Sequence, residues 1–534
     1  MNHDSEKTAS LVATGGAILG IEFGSTRIKA TLIAPDTTVL ASAAHTWENQ
    51  LKDNLWTYDM EDVFSGLSAC YAALKEDVSR RYGVLLQSIA ALGVSGMMHG
   101  YVALGSDDEL LVPFRTWRNN ITDRACRELT PELSFAVPQR WTIAHLYQSL
   151  LESQPHIQKL ARLTTLAGYV HYRLTGSFCV GIGEASGIFP IDPNRLDWDQ
   201  ARLEKFERLI EPRKLPFKLS QLLPKVLSAG EAAGQLTAQG AKLLDPAGHL
   251  VPGAPLCPPE GDAGTGMVAT NAVRPRSGNV SAGTSVFAMV VLERSLSGVH
   301  SEIDIVATPD GRPVAMAHSN NGSSDLDAWM TLFGQVASAL GSRPSVDELY
   351  EKLLPRALDG EADAGGLLSI NYVSGEHITK FAEGRPLFAR GSDSRFTLEN
   401  FMRALCYASL CAMRMGMNIL TEREGVVIEE LRGHGGFFKG GQTGQHMMAA
   451  ALNVPVSIPK TAGEGGSWGV AVLALYMLAN EKGRSLADFL DARLAGSIGE
   501  PVQPTPEAVR GFSQFFERHG RGLSIEREAI AALG

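Results

Sequence analysis

Cysteine pairs at metal-site spacing and long apolar runs are missing from this sequence, and we expect no signal peptide from its first residues. Its six cysteines are scattered and none belongs to a C-x-x-C pair, which argues against zinc and thioredoxin-type sites and predicts free thiols without disulfides. The first residues, MNHDSEKTASLVATGG, lack the basic start and apolar core of a signal peptide, and no apolar run approaches the length of a membrane span. We therefore expect a cytoplasmic protein with no membrane partner.

Basic residues are fewer than acidic ones, with 48 Lys and Arg against 58 Asp and Glu. The formal net charge of -10 argues against nucleic acid as a main partner, because nucleic acids need a basic protein face. With 44% hydrophobic and 20% charged residues the chain has the composition of a globular protein. Its 534 residues are too many for one core, so the length predicts two or more domains.

A glycine turn between two apolar segments is the feature around which the rest of the chain can be placed. Residues 17–21 and 28–33 have strand patterns, and they flank a polar tip made of Gly24, Ser25 and Thr26. Such a tip offers backbone N–H groups and hydroxyls to a phosphate chain. An ordinary hairpin, whose glycine only supplies a positive φ, is the alternative interpretation.

The same pattern returns in the second half of the chain. Residues 277–291 again read as a strand, a turn made of Gly283, Thr284 and Ser285, and a second strand. Two such hairpins, one opening each half, are far less expected by chance than one. The internal echo indicates a duplicated nucleotide-binding fold.

Two polar loops follow predicted strands in the first half. The strand over 88–94 ends in SGMMHG, residues 95–100, where ligands tend to bind in open α/β sheets. His99 there is either a ligand to a polar substrate or a structural histidine. Residues 114–120, FRTWRNN, combine rings, guanidinium groups and amides that suit a polyhydroxylated ligand, although a capped loop before a helix fits equally well.

Two glycine-rich segments carry further candidates. Residues 260–266, EGDAGTG, place Asp262 at a helix start, either as an open carboxylate or as the helix N-cap. Residues 433–444, GHGGFFKGGQTG, allow the backbone to approach a flat base closely, or else form a surface loop. Neither segment decides between these interpretations alone.

Taken in order, these pieces resemble the FGGY family of carbohydrate kinases over residues 17–478. Residues 20–26 resemble its first phosphate loop, 280–285 its second, 435–456 its adenosine segment and 260–262 its catalytic G-D motif. SGMMHG is most similar to the S/A-G-Q-M-H-G of xylulokinases, and YVSGE at 372–376 is a further landmark. The resemblance implies an α/β fold with two actin-like (ribonuclease-H-like) domains and an interdomain cleft.

The resemblance also implies roles for individual residues. Asp262 would be the general base that takes a proton from a sugar hydroxyl as that oxygen attacks the γ-phosphate of ATP. Glu22 and Asp262 would hold Mg²⁺, largely through water. The sugar would be bound by Met98, His99, Trp117, Asn119 and Asp262. ATP and its phosphates would be bound by Gly24, Ser25, Thr26, Gly283, Thr284, Ser285, Gly435, Gly436, Gly440 and Gln442.

The activity implied is ATP-dependent phosphorylation of a ketopentose, with xylulose as the first choice. Ribulose, erythritol, fuculose and gluconate are alternative acceptors, and a catalytically weak, actin-like regulatory protein is the non-enzyme alternative. A dehydrogenase is disfavoured because no G-x-G-x-x-G follows a strand at the start of a β-α-β unit. Two departures bear on the choice: Glu22 stands where the family usually has Asp, and W-R-N at 117–119 replaces W-N-D or W-Q-D.

The resemblance divides the chain into segments and leaves a homodimer open. We expect a disordered N-terminus over 1–16, a sugar- and phosphate-binding domain over 17–272, an adenosine-binding domain over 273–500 and a helical extension over 501–534.

Overall fold

The computed structural model describes residues 3–439, 441–479, 483–494 and 496–533. The chain divides into two compact units. Unit 1 is built from Met1–Val273, Ile305–Pro313 and Glu464–Ala495. Unit 2 is built from Arg274–Asp304, Val314–Gly463 and Gly496–Gly534.

The strands in chain order are β1 Ile18–Phe23, β2 Arg27–Ile33, β3 Val39–Thr46, β4 Gln50–Lys52, β5 Leu55–Thr57, β6 Ala91–Gly96, β7 Val102–Leu104, β8 Arg162–Thr164, β9 Cys179–Gly181, β10 Ile191–Asp192, β11 Asp197–Trp198, β12 Lys225–Leu227, β13 Glu260–Gly261, β14 Ser277–Ala282, β15 Val286–Val291, β16 Ile303–Ala307, β17 Pro313–Ser319, β18 Leu368–Ile370, β19 Leu387–Ala389, β20 Glu430–His434 and β21 Val456–Ser457.

The α-helices are α1 His3–Ala13, α2 Met60–Tyr82, α3 Asp123–Leu133, α4 Thr142–Leu151, α5 Leu166–Thr175, α6 Ile182–Ala185, α7 Gln200–Ile210, α8 Leu219–Leu222, α9 Ala238–Leu244, α10 Asp262–Ala269, α11 Ser324–Ala339, α12 Val346–Leu353, α13 Leu398–Asn418, α14 Thr443–Leu452, α15 Gly465–Ala479, α16 Leu486–Leu494 and α17 Pro506–Leu533. Short 3₁₀ turns cover Pro155–Lys159, Glu211–Arg213, Leu354–Asp359, Gly436–Phe438 and Lys460–Gly463, and a π-turn covers Ile419–Arg423.

The main sheet of unit 1 has the strand order β13-β6-β1-β2-β3. Its centre is the predicted hairpin, in which β1 and β2 pair antiparallel from Ile18 opposite Ile33 to Phe23 opposite Ile28. On the other side of β1 the chain returns through α2 and pairs β6 in parallel, and β13 continues the parallel side. All of β1 and β6 is buried, as expected for strands covered on both faces.

Unit 2 repeats this arrangement with different strands. Its sheet contains the order β17-β15-β14-β20-β21, in which β14 and β15 form the second predicted hairpin. β20 and β21 pair in parallel beside β14, in the positions that β6 and β13 occupy beside β1 in unit 1. β17 pairs antiparallel with β15, in the position that β3 occupies beside β2. The echo seen in the sequence is therefore a duplication of the sheet, and the two-domain, actin-like α/β prediction is confirmed.

The division between the units differs from the expected one. Helices α15 and α16, placed by the sequence in the second domain, belong to unit 1. Glycines make this docking possible: a Cβ on Gly20 would lie 1.9 Å from the carbonyl oxygen of Ser467, and one on Gly93 would lie 2.6 Å from that of Val470. Helix α15 thus packs directly onto β1 and β6, and no local sequence pattern predicts this contact.

The disorder expected for residues 1–16 is also corrected for the described part of that segment, residues 3–16. Helix α1 covers His3–Ala13, and Val12 near its end is 1% exposed within the core of unit 1. Leu11 packs against the same core, and Gly16 leaves room for its side chain. Burial of these apolar side chains offsets the loss of chain entropy, so the segment is ordered.

The cysteine prediction is confirmed: all six thiols are free, and five of them are buried. Of the helices in the described part of the chain, none combines the length and the apolar character needed to cross a bilayer.

Candidate active site

Three parallel strands end at one edge of the unit 1 sheet, and each delivers a candidate residue there. β1 ends at Phe23 and leads into the Gly24-Ser25-Thr26 turn, β6 ends at Gly96 before Met98 and His99, and β13 ends at Gly261 before Asp262. The carboxyl edge of a parallel sheet is where α/β proteins bind ligands. The fold therefore gathers residues that are far apart in the sequence.

Asp262 lies at the start of α10. Gly261 occupies the N-cap position, so Asp262 is the first helical residue and not the cap. Its Oδ1 accepts a hydrogen bond of 3.1 Å from the backbone N–H of Met98. The residue remains accessible to solvent, yet partial desolvation raises its pKa to about 6, the negative charge of Glu22 adds to the rise and the Met98 N–H opposes it. A carboxylate with this pKa is basic enough to take a proton and ionised at neutral pH.

Glu22 projects from β1 toward the N-terminus of α15. Its carboxylate accepts backbone N–H groups of Gly466 and Ser467, and Oε2 lies 3.9 Å from Nζ of Lys29 on the paired strand. Burial raises the pKa of Glu22, whereas Lys29 and the two N–H groups oppose the rise. Oε2 is buried and has no hydrogen-bond partner among the described residues, so one acceptor of this carboxylate stays available.

His99 adopts an unusual backbone conformation. Its φ is +73°, in the left-handed region, which is uncommon for a residue with a Cβ. Burial and the charge of Arg140 hold the pKa of His99 well below its usual range, so the ring is neutral. Nδ1 lies 3.4 Å from the carbonyl oxygen of Gly187 and must be the donor there, which leaves Nε2 as a hydrogen-bond acceptor.

Trp117 contacts the first phosphate loop. Its indole Nε1 donates a hydrogen bond of 3.3 Å to Oγ of Ser25, and the side chain is partly exposed. The neighbouring Arg118 holds its guanidinium 4.1 Å from the centre of the Trp56 ring. The structure thus brings Trp117 to the same edge of the sheet as Ser25.

Asn119 has a different task from the one predicted. Its Oδ1 accepts the N–H of Trp56, and Nδ2 donates both its hydrogens, to the carbonyls of Trp56 and Thr116. The side chain is 1% exposed. The direct sugar contact expected for Asn119 is therefore corrected: this amide joins β5 to the loop that carries Trp117.

Two buried carboxyls beside Asp262 were not identified from the sequence as site residues. Glu260 accepts the N–H groups of Gly183 and Glu184, and burial raises its pKa to about 8. Glu184 is fully buried, and Oε2 lies 2.5 Å from where a Cβ on Gly261 would be. Burial raises the pKa of Glu184 well above its usual range. In the sequence, the glycines next to Glu184 and Glu260 are the signal that could have identified these two carboxyls as site residues.

In unit 2 the second predicted phosphate loop, residues 283–285, lies at the end of β14. Its carbonyls are held by a strap, residues 320–323: the N–H of Gly322 donates to Thr284 and that of Ser323 to Gly283, both at 2.8 Å. Glu376, from the YVSGE landmark, holds the strap by accepting the N–H groups of Asn320 and Asn321 at 2.9 and 3.3 Å. The landmark glutamate is thus a structural anchor of the loop.

The adenosine segment begins beside this loop. β20 pairs in parallel with β14, with His434 opposite Ser281, and Gly435 follows with φ +99°. A Cβ on Gly435 would lie 2.4 Å from the carbonyl of Ala282, so only glycine fits, whereas Gly436 faces open space. Gln442 is exposed at the start of α14. Gly440, also predicted to bind ATP, lies outside the described residues.

Comparison with known families agrees with this geometry. The model of the FGGY family of carbohydrate kinases, N-terminal domain, matches residues 17–252, and that of its C-terminal domain matches residues 278–478. Xylulose kinase of Haemophilus influenzae is 22% identical over 82% of this chain and 84% of its own length. Gluconokinase of Bacillus subtilis is 22% identical over 92% of this chain and 91% of its own length.

Solved structures give the same two names. The gluconate kinase of Lactobacillus acidophilus superposes with a TM-score of 0.77 at 18% identity, covering 95% of this chain and 97% of that one. The ligand-bound xylulose kinase of the same organism also reaches 0.77 at 18% identity, covering 97% and 98%. At this identity the likeness concerns the fold and leaves the acceptor undecided.

Proposed function

Since the chain belongs to the FGGY family of carbohydrate kinases and is an ATP-dependent sugar kinase, we propose that it transfers the γ-phosphate of ATP to a hydroxyl of a ketopentose, with xylulose as the first acceptor. The observation that carries the proposal is the position of Asp262. It opens α10 at the sheet edge that also presents Met98, His99 and the Gly24-Ser25-Thr26 loop. These are the groups that an acceptor and a terminal phosphate need together.

In this proposal Asp262 removes the proton of the attacking hydroxyl. Its pKa of about 6 matches that task, because the carboxylate is mostly ionised at pH 7. Nε2 of His99 accepts a second hydroxyl hydrogen, and the exposed part of Trp117 offers its ring to the C–H face of the sugar. The acceptor is thereby held by contacts on more than one side, which fixes the angle of attack.

Mg²⁺ fits the residues present. No group of three or more metal-ligating side chains occurs in the described ranges, so the protein alone forms no metal cage. Mg²⁺ usually keeps several waters and is held by one or two carboxylates together with substrate phosphates. The unpartnered Oε2 of Glu22 and the carboxylate of Asp262 would accept hydrogens from those waters. When bound, the ion neutralises charge on the phosphates.

In unit 2 we propose that the amides of Thr284 and Ser285 bind ATP phosphates and that Gly435, Gly436 and Gln442 contact the adenosine. Gly436 supports this assignment, because nothing lies within 4 Å of the place where its Cβ would be. The backbone there can approach a flat base closely.

Gluconate is the second candidate acceptor. Arg118 stands where the family usually has Asn or Gln, and its exposed guanidinium would attract an acidic sugar. Two of the relatives described above are gluconate kinases by name. The sugar acids and the ketoses therefore both belong in the first assay.

The test measures ADP release with ATP and Mg²⁺ against D-xylulose, L-xylulose, D- and L-ribulose, erythritol, L-fuculose and gluconate. We expect one acceptor to raise turnover well above the ATP-only rate, and Asp262→Asn to lower that turnover by about 10²- to 10⁴-fold. Asp107→Asn, in an exposed turn, is the matched control. If gluconate is the acceptor, Arg118→Gln should raise its KM and leave that of xylulose unchanged.

Three results would count against the proposal. ATP binding without any acceptor-dependent turnover would favour the regulatory alternative. Undiminished turnover in Asp262→Asn would remove the proposed base, and equal losses in Asp107→Asn would point to a folding defect.

A further inference from the structure

The first phosphate loop has an asymmetry in its hydrogen bonding. Each of its carbonyls has a donor: the indole Nε1 of Trp47 donates to Gly24 at 2.7 Å, the hydroxyl of Tyr58 donates to Ser25 at 2.6 Å, and the N–H of Trp47 donates to Thr26 at 3.2 Å. The N–H groups of Ser25 and Thr26 have no partner within the described part of the chain. The carbonyl acceptors of the loop are therefore occupied, whereas its N–H donors are available to a ligand.

The two side chains that produce this asymmetry are rigidly held. Trp47 is 6% exposed and Tyr58 is 2% exposed, and their rings stack with centroids 4.1 Å apart. Phe23 packs edge-on against Trp47, and Phe114 packs beside Tyr58. Together Trp47 and Tyr58 form an aromatic clamp whose polar ends both point at the loop.

The chemistry of the clamp follows from its geometry. A peptide carbonyl facing a phosphate oxygen is repulsive, whereas a free peptide N–H is attractive. The clamp donates hydrogen bonds to the carbonyls of Gly24 and Ser25, and these bonds fix the orientation of the peptide planes. The N–H groups of the loop are therefore oriented before the nucleotide binds. Donors that need no reorganisation stabilise charge best.

The proposed function places the terminal phosphate of ATP against this loop. In the proposed reaction that phosphate must lie next to Asp262, and the loop and Asp262 end β1 and β13, strands separated in the sheet only by β6. We infer that Trp47 and Tyr58 are positioning residues that hold the first phosphate loop in its donor-presenting form for the γ-phosphate of ATP. This inference rests on the proposed function for the identity of the anion.

The test compares two nucleotides in variants that remove the hydrogen-bond donor of each clamp residue. Tyr58→Phe and Trp47→Phe are measured by calorimetry with Mg²⁺ and either ADP or a non-hydrolysable β,γ-imido analogue of ATP. We expect each variant to weaken the analogue about five- to tenfold, the equivalent of about one hydrogen bond, and to change ADP binding by less than twofold. The measurement needs no acceptor, so it stays valid if the acceptor proposal fails.

Matched controls exist in the same unit. Tyr82 donates its hydroxyl to the Leu40 carbonyl at 2.8 Å, and Trp198, also 6% exposed, donates Nε1 to the Pro224 carbonyl at 3.0 Å. Tyr82→Phe and Trp198→Phe remove equivalent hydrogen bonds away from the loop, and we expect neither to change the affinity for the analogue. A loss in these controls, an equal loss for ADP, or no loss in the clamp variants would overturn the inference.

Hydrogen exchange of the unmutated protein provides a second measurement if a clamp variant does not fold. The analogue should protect the amides of Ser25 and Thr26 more than ADP does. Equal protection by both nucleotides, or none, would contradict the assignment of this loop to the γ-phosphate.

Discussion

The two phosphate loops of this chain reach the same hydrogen-bond pattern by different means. In unit 1 the carbonyls of Gly24 and Ser25 are taken up by side chains, an indole and a phenol. In unit 2 the carbonyls of Gly283 and Thr284 are taken up by the backbone of the strap. In both loops two N–H groups remain free among the described residues, those of Ser25 and Thr26 and those of Thr284 and Ser285.

The difference teaches what each loop depends on. A backbone clamp needs two segments of the chain to approach each other closely. Gly322 permits this approach, because a Cβ at that position would lie only 2.2 Å from the Gly283 carbonyl oxygen. A side-chain clamp needs large buried rings with polar ends, and these can lose one hydrogen bond while the packing survives. The backbone clamp should therefore be the more sensitive to a single added methyl group.

Among changes that test this comparison of the two loops, the largest effect is expected from Gly322→Ala. The new methyl group cannot fit against the Gly283 and Thr284 carbonyls, so the loop must shift, at a cost of about 1 to 3 kcal/mol. We expect the affinity for the imido analogue of ATP to fall by about 10- to 100-fold, measured by calorimetry. Gly520→Ala on α17, where nothing lies within 4 Å of the new Cβ, is the control. Unchanged affinity would show that the strap does not hold the loop.

The second effect separates the chemistry of unit 1 from nucleotide binding in unit 2. Because the pKa of Asp262 is raised from 3.8 to about 6, the base is progressively protonated, and activity lost, as the pH falls through 6. We expect kcat/KM at pH 5 to be about one tenth of its value at pH 7. Calorimetry of ADP at the same pH values should show no parallel change. A profile that is flat down to pH 4.5 would argue against Asp262 as the base.

The smallest effect is expected from shortening Glu22, the residue of β1 whose carboxylate accepts hydrogen bonds from the start of α15. Glu22→Asp restores the usual family residue but shortens the carboxylate by one methylene, so it no longer reaches the N–H groups of Gly466 and Ser467. We expect the free energy of unfolding to fall by about 1 kcal/mol in urea titrations. The exposed Glu48→Asp should leave it unchanged. Equal stability of Glu22→Asp and the parent would show that these contacts contribute nothing.

Local patterns were enough for the elements that define the family. The turns at 24–26 and 283–285, the strands on either side and the glycine before Asp262 are all set by residues close to each other in the chain. Alternation, glycine and a capping position act over a few residues, and such signals survive in sequence. Together with the family resemblance that they carry, they indicated the duplicated sheet, the reaction class and the candidate base.

Only the tertiary structure decided which distant segments hold these elements in place. Oγ1 of Thr31 lies 2.8 Å from Oγ of Ser467, 436 residues away, and nothing near either residue signals that α15 packs on the first sheet. Asn119 was read as a sugar ligand because its type suits one, whereas its amide is used up by Trp56 and Thr116. No local pattern in the sequence singles out Trp47 and Tyr58. Their polar atoms gain a function from the fold, because a hydrogen bond depends on where its acceptor lies in space.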